Sequence, residues 1–362
     1  MFDLTSPNGL PIEYFTHYLY IFIILIVFIL SSKKNKNNLS FLFLPLFILW
    51  VFAFSRDAIG VDYENYFDIF NEAEFGKYTY SDTTIEPGFY YLNAFLNSIC
   101  SYKLFGFIFF HGLILYLLYR VMVNYKHQLS YPFVLLAYTT MWYFLSFNLL
   151  RICIASIIVC YAIKFLLTHR YYKYIICVLL ATAIHMSAFL MIFPGLAFIV
   201  YKRYPKFVIL GFILIFIVIS TSISTITRYI GVERYADYLL MDQDSGIGMN
   251  IFFTYIPLAY WLAIGRKYIS REFWDLSLVF TIFAFIIDFS GYRMAILGRL
   301  RAYSVVPFLL YLPTFVNAIY KVKRRDYKIQ VIVMFLYFFI KYYLFLPQLY
   351  WSDGLMPYKS LL

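Results

Sequence analysis

The chain has 362 residues, of which 63% are hydrophobic, 23% aromatic and only 14% charged, with a formal net charge of +11. So apolar a composition excludes an ordinary soluble domain and defines a polytopic membrane protein. The basic excess is split into short clusters between apolar runs, which marks it as a topology signal and implies no nucleic-acid partner.

Repeated apolar runs approach the roughly 20 residues that a helix needs to cross the hydrocarbon while satisfying its own backbone groups, and no short alternating strands of a barrel are visible. The fold class is therefore all-α, a single transmembrane domain over 1–362 with about twelve spans. The first run, 18–30, has a signal peptide's length but lacks a basic start and a small-residue cleavage site, and is read as a retained span. Cys100, Cys153, Cys160 and Cys177 lie in apolar helical stretches and read as small core residues.

Lys33, Lys34 and Lys36 follow the first span and should be cytoplasmic, which puts the N-terminus outside. After a second span at 39–55, the stretch 56–88 is then outside as well. Eight of the chain's 19 Asp and Glu lie between Arg56 and Glu86, opposed only by Arg56 and Lys77. A polar loop of about thirty residues inside a packed protein is usually functional or disordered, and 56–88 is the expected catalytic loop. The run 89–100 carries Asn93, Asn97 and Ser98; because Arg120 and Lys126 must return inside, it is expected as an interfacial or re-entrant outer helix, followed by a span at 104–121. Spans 131–147 and 149–167 form a hairpin whose outer tip runs from Asn148 to Arg151. Between Tyr174 and the next basic cluster at Lys202 the chain must cross twice in about 27 residues, too few for two full spans at 1.5 Å per residue. Two short helices meeting near His185, Met186 and Ser187 resolve the shortage. A span at 207–224 leads to a second outer loop, 226–250. Spans ending at Arg266, at 274–289, about 299–320 and 329–346 complete the alternation and leave both termini outside.

The outer face retains arginines that the charge bias does not explain. Arg151 begins a span, where it could equally snorkel to headgroups. Arg293, Arg299 and Arg301 cluster at the outer end of the 299–320 span, with Arg299 and Tyr303 four apart and so expected on one helical face. A guanidinium forks two donors to phosphate oxygens, so Arg56, Arg151, Arg293 and Arg299 form a candidate clamp for a lipid-linked diphosphate, one that would need no metal. No HExxH, DxD or paired-His pattern offers a metal site. His185, at the broken span, is a core residue or a functional one. Asp62 and Glu86 are candidates for a general base acting on an acceptor hydroxyl. Tyr63 and Tyr66 form either a sugar platform or part of the interfacial tyrosine belt.

The motifs Arg56-x-x-x-Gly60-x-Asp62-Tyr63-x-x-Tyr66, Glu86-Pro87-Gly88-Phe89, Asn148-x-x-Arg151-x-x-x-Ala155, Ile184-His185-Met186-Ser187-Ala188 and Gly298-Arg299-Leu300-Arg301-Ala302-Tyr303 follow one another as in the EpsG family. Over nearly its whole length the chain resembles an EpsG-like, Wzy-type polysaccharide polymerase; residues from Gln348 onward contribute nothing to the resemblance. The resemblance implies a GT-C-like membrane glycosyltransferase of the bacterial cytoplasmic (inner) membrane, needing no cofactor. It would move a growing glycan from undecaprenyl diphosphate to a hydroxyl of the next lipid-linked repeat unit of an O-antigen, capsule or exopolysaccharide. Arg151 and Arg299, assisted by Arg56 or Arg293, would hold the departing diphosphate, and Asp62 or Glu86 would deprotonate the acceptor. His185 would orient or relay, Tyr63, Tyr66 and Tyr303 would line the sugar path, and a chain-length regulator is a candidate protein partner. A flippase for lipid-linked oligosaccharides and an O-antigen ligase are the rival readings. A flippase should carry its charges through the spans, whereas here they concentrate at the outer ends.

Overall fold

A computed structural model describes residues 11–32, 39–78, 85–102, 104–229, 249–293, 298–322, 324–351 and 354–355. Among them every regular element is helical. Among the described residues, five helices are long and apolar enough to cross a membrane, and six shorter apolar helices accompany them. The chain is thus a multi-pass helical membrane protein. It divides into two compact units, Met1–Ile154 with Lys328–Leu362, and Ala155–Tyr327.

The first unit contains α1 (Pro11–Ser31), α2 (Phe43–Phe54), α3 (Tyr63–Glu72), α4 (Pro87–Ile99), α5 (Leu104–Asn124), α6 (Tyr131–Met141), the single turn α7 (Leu145–Asn148) and the start of α8 (Leu150–Leu167). Helix α1 packs on α2 and α6, and α2 on α5. Because apolar side chains gain nothing by leaving lipid, polar ties and close packing hold such helices together. Trp50 Nε1 donates to the Ile108 carbonyl (2.8 Å) and the Tyr143 hydroxyl to that of Leu49 (2.6 Å). The expected continuous span 131–147 is instead interrupted after Met141. There the Tyr138 carbonyl accepts from the N–H of both Trp142 and Tyr143, each at 2.9 Å, so the regular ladder stops.

The acidic stretch expected as a loop contains a ten-residue helix, α3. Tyr63, Tyr66, Phe67 and Phe70 fall at i, i+3, i+4 and i+7, an apolar stripe that is buried while Glu64, Asn65 and Asp68 face out. The short helix expected near 89–100 is present as α4, opened by Pro87 in the first turn, where a missing N–H costs nothing. Residues 79–84 and the basic cluster at 33–36 lie outside the described residues.

The second unit holds the rest of α8, then α9 (Tyr171–Ile184), a 3₁₀ segment (Met186–Met191), α10 (Ile192–Tyr201), α11 (Pro205–Tyr229), α12 (Met249–Gly265) and α13 (Arg271–Arg293). The two short helices anticipated around His185 are there, broken at that residue. Most of the expected loop 226–250 lies outside the described residues. Helix α13 is the hub of this unit, packing on α10, α11, α12 and the stretch that follows it. That stretch is not one regular helix: a 3₁₀ segment (Arg299–Tyr303) leads into a π-turn (Val306–Tyr311) and then α14 (Leu312–Val322). Pro307 and Pro313 each lack the N–H that an α-helix would need, and Leu312 N–H bonds the Pro307 carbonyl five residues back. The last helix, α15 (Arg324–Trp351), returns to the first unit from Lys328 and carries an exposed apolar stripe of Ile329, Ile332, Leu336, Ile340 and Tyr343. Such a stripe on a span is what lipid covers.

Candidate functional site

In the first unit, α7 ends at Asn148 and α8 begins at Leu150, with Leu149 between them out of helical conformation (φ −100°, ψ 48°). A helix end leaves carbonyls without partners. Here side chains from 56–66 supply them: Arg56 Nη1 donates to the Phe147 carbonyl (2.9 Å) and the Tyr66 hydroxyl to the Asn148 carbonyl (3.0 Å). The Tyr63 hydroxyl in turn donates to the Arg56 carbonyl (3.1 Å), closing the loop on itself. Gly60 has φ +99°, and a Cβ there would overlap Asn148 Oδ1, so only glycine fits both the backbone and the approach. Gly60 N–H donates to the Gly354 carbonyl (3.0 Å), and the Tyr20 hydroxyl to the Leu355 carbonyl (2.9 Å). The C-terminal residues that added nothing to the sequence reading therefore help hold the loop.

Arg56, expected in the diphosphate clamp, is 0% exposed. Its guanidinium lies 4.6 Å from the Phe107 ring, 4.5 Å from Phe147 and 5.5 Å from Tyr63, an aromatic box whose quadrupoles favour a cation. His111, buried, stacks on Phe107 and meets Phe147 edge-on. Tyr63 and Tyr66 are likewise buried. Burial pushes the Tyr66 phenol up to about 12, against a smaller opposing pull from Arg151, so it stays a protonated donor at any ordinary pH. The crevice beside it, lined by Tyr66, Phe89, Asn93, Phe110 and Leu150, has room for about one water molecule. These two tyrosines therefore act in packing here, not as an open face for a sugar.

Arg151 differs. Its side chain is 21% exposed, and Nη1 meets Glu86 Oε2 at 2.6 Å, with Glu86 16% exposed. The Phe89 ring lies 5.9 Å from the guanidinium. Glu86 occupies the N-cap of α4, yet its carboxylate makes no capping bond and turns to Arg151. Its backbone is set from both sides: the Tyr78 hydroxyl donates to the Ile85 carbonyl (3.0 Å), and the Tyr90 hydroxyl ties α4 to Glu74, two residues beyond α3. Asp62 is half-buried at the N-cap of α3.

In the second unit, His185 separates α9 from the 3₁₀ segment, and Ser187 Oγ lies 3.2 Å from His185 Nδ1 and 3.0 Å from the Tyr303 hydroxyl. Arg299 and Tyr303 do not share a face as expected. The segment is 3₁₀, with three residues per turn, so positions four apart diverge; Arg299 is exposed and Tyr303 buried. Arg293 ends α13, and its side chain lies outside the described residues. Sequence reasoning passed over Asp288, a carboxylate within the apolar run of α13 that accepts from the Tyr255 hydroxyl at 2.7 Å; an acid inside a span is itself a signal. Among the described residues no group of three or more His, Cys, Asp or Glu could hold a metal ion.

The described residues thus form a multi-pass helical membrane protein with a partly exposed arginine–carboxylate pair at the first turn of a candidate span. The model of the EpsG family matches residues 38–360, and the chain belongs to that family, one of Wzy-type polysaccharide polymerase-like proteins. Membership associates it with a glycosyltransferase-like role in polysaccharide polymerisation. No curated protein and no solved structure matches the chain.

Proposed function

We propose that this protein polymerises a surface polysaccharide on the outer face of the bacterial cytoplasmic membrane. A glycan passes from undecaprenyl diphosphate to a hydroxyl of the next lipid-linked repeat unit. The observation that carries this reading is the Arg151–Glu86 pair: a forked cation, partly open, at the first turn of a candidate span, held by a carboxylate where a phosphate oxygen would bind.

In this reading the donor diphosphate displaces Glu86 from Arg151, which frees a carboxylate beside the reacting sugar. Glu86 takes the proton of the acceptor hydroxyl while the acceptor oxygen bonds to the anomeric carbon. The bond from that carbon to the diphosphate breaks, and the diphosphate leaves with the electron pair. Arg151 stabilises its growing charge, as preorganised donors do. Asp62 sits at the N-cap of α3, away from the reacting atoms, and Arg56, Tyr63 and Tyr66 position Arg151 without touching substrate. Two lipid diphosphates take part, one under the donor and one under the acceptor, so Arg299 with Arg293 has a ligand of its own to hold.

The test is a gel of surface polysaccharide from a strain lacking this protein, complemented with wild type, Arg151→Ala or Glu86→Gln at matched membrane levels. The reading expects a long-chain ladder with wild type, and single repeat units still reaching the carrier acceptor with either variant. Repeat units trapped on lipid diphosphate at the inner face would instead make the protein a flippase, and free polymer that never reaches its acceptor would make it a ligase.

A further inference from the structure

In the first unit, the open side of α4 and the residues just after it carries Tyr91, Phe95, Ile99 and Tyr102, between 43% and 60% exposed. Positions four apart share a helical face, so Tyr91, Phe95 and Ile99 form one stripe, which Tyr102 continues towards α5. Phe75, also exposed, stacks on Tyr91 with ring centroids 6.4 Å apart and lengthens it. Single exposed apolar residues are ordinary, but a contiguous stripe needs a cover.

Its surroundings specify lipid. No charged residue occurs from Pro87 to Tyr102. Besides the tyrosines, the exposed polar side chains of this stretch are Ser98 and Ser101. Both turn their hydroxyls back to carbonyls of their own chain, those of Phe95 (2.7 Å) and Asn97 (3.3 Å). A hydroxyl facing hydrocarbon must find such an internal acceptor, whereas one facing water need not. Position agrees with chemistry. With 13 residues, α4 is about 20 Å long, too short for a core of roughly 30 Å. Five residues after Ile99, α5 begins at Leu104 and is a candidate span, so the end of α4 lies within about 18 Å of the mouth of that span. Arg120 and Lys126 assign the other end of α5 to the cytoplasm, which makes this the outer boundary. Helix α3, packed on α4, gives the contrast: its exposed residues are Glu64, Asn65, Asp68 and Glu72, a face for water. Phe75 marks the line between them, since beside it Glu74 and Lys77 pair in the open at 2.6 Å.

From this placement we infer that α4 lies in the plane of the outer leaflet, with Tyr91, Phe95, Ile99 and Tyr102 sunk among lipid and α3 riding on its water side. The partner is a lipid surface, held by apolar burial and not by charge, because 87–102 offers no cation to an anionic headgroup. Glu86 caps α4, so a helix fixed in this plane holds the Glu86–Arg151 pair at headgroup depth. That this depth serves a lipid diphosphate rests on the polymerase reading; the membrane contact itself does not.

The test is photocrosslinking of the wild-type, full-length protein in phosphatidylcholine vesicles that contain a phosphatidylcholine with an aryl diazirine on its acyl chain, followed by peptide mapping. The exposed stripe of α15 is the internal standard. Adducts are expected on the peptide holding Tyr91 to Tyr102, at a level comparable with α15, and none above background on the peptide holding Glu64 to Glu72. Adding phosphatidylglycerol should leave the pattern unchanged. An unlabelled α4 beside a labelled α15 would mean that water or protein covers the stripe, and labelling of α3, or labelling of α4 only with anionic lipid, would contradict the orientation or the apolar contact; each overturns the inference. Elongation then tests the depth: Phe95→Leu should keep it and Phe95→Asp, at equal membrane levels, should lose most of it. Full elongation by Phe95→Asp would overturn the depth-setting role. Wild type that labels on α4 yet elongates nothing would support the membrane surface and fail the polymerase reading.

Discussion

Arg56 and Arg151 are both arginines near the ends of apolar helices in the same unit, and both were expected to grip a diphosphate. Their surroundings are opposite. Arg56 is sealed among Phe107, Phe147 and Tyr63 and holds a backbone carbonyl, whereas Arg151 stands partly open with a carboxylate for a partner. The contrast teaches that a guanidinium's role is set by what shares its donors. One that satisfies a helix-end carbonyl is part of the scaffold, and one that meets a displaceable anion is available to a ligand. The first arginine also serves the second, since Phe147 lies four residues before Arg151.

Replacing Arg151 should give the largest functional effect. Arg151→Ala should lower elongation by about 10²–10³-fold, as loss of a charge-stabilising donor does, with wild-type amounts of folded protein in the membrane. Arg56→Ala should do the reverse, costing about 3 kcal/mol or more of stability from an emptied aromatic box and an unsatisfied carbonyl. Thermal unfolding of the detergent-solubilised protein measures it, and an unchanged melting profile with abolished polymer would collapse the contrast between the two arginines. Glu86→Gln sharpens the Arg151 side: elongation should fall by about 10²-fold for want of a base, while binding of the lipid diphosphate holds or tightens because its competitor is weaker. Tighter binding with unimpaired elongation would remove Glu86 from the chemistry. Gly60→Ala should destabilise by about 1–3 kcal/mol through its positive φ and the clash with Asn148. Smallest is Tyr66→Phe, about 1 kcal/mol for one hydrogen bond, with a matching loss of melting temperature.

Hydropathy made the membrane spans legible, because a helix in lipid advertises its length and apolarity locally. The break at His185 was legible too, since the chain between Tyr174 and Lys202 is too short for two full crossings. Helix α3 was hidden by its charge: acidic residues read as loop, although the stripe of Tyr63, Tyr66, Phe67 and Phe70 was available to reveal it. The face shared by Arg299 and Tyr303 was misjudged because the α-helical spacing rule does not hold in a 3₁₀ turn. The Arg151–Glu86 pair is separated by 65 residues, and the tie from Gly60 to Gly354 by more. Such partners belong to tertiary packing, and no periodicity announces them.

The most direct test of the account is elongation of an undecaprenyl-diphosphate-linked repeat unit by purified protein in proteoliposomes, comparing wild type with Arg151→Ala and with Arg151→Lys. The account predicts a ladder of products with wild type, almost none with Arg151→Ala, and weak recovery with Arg151→Lys, which keeps the charge but not the fork. A full ladder from Arg151→Ala would contradict it.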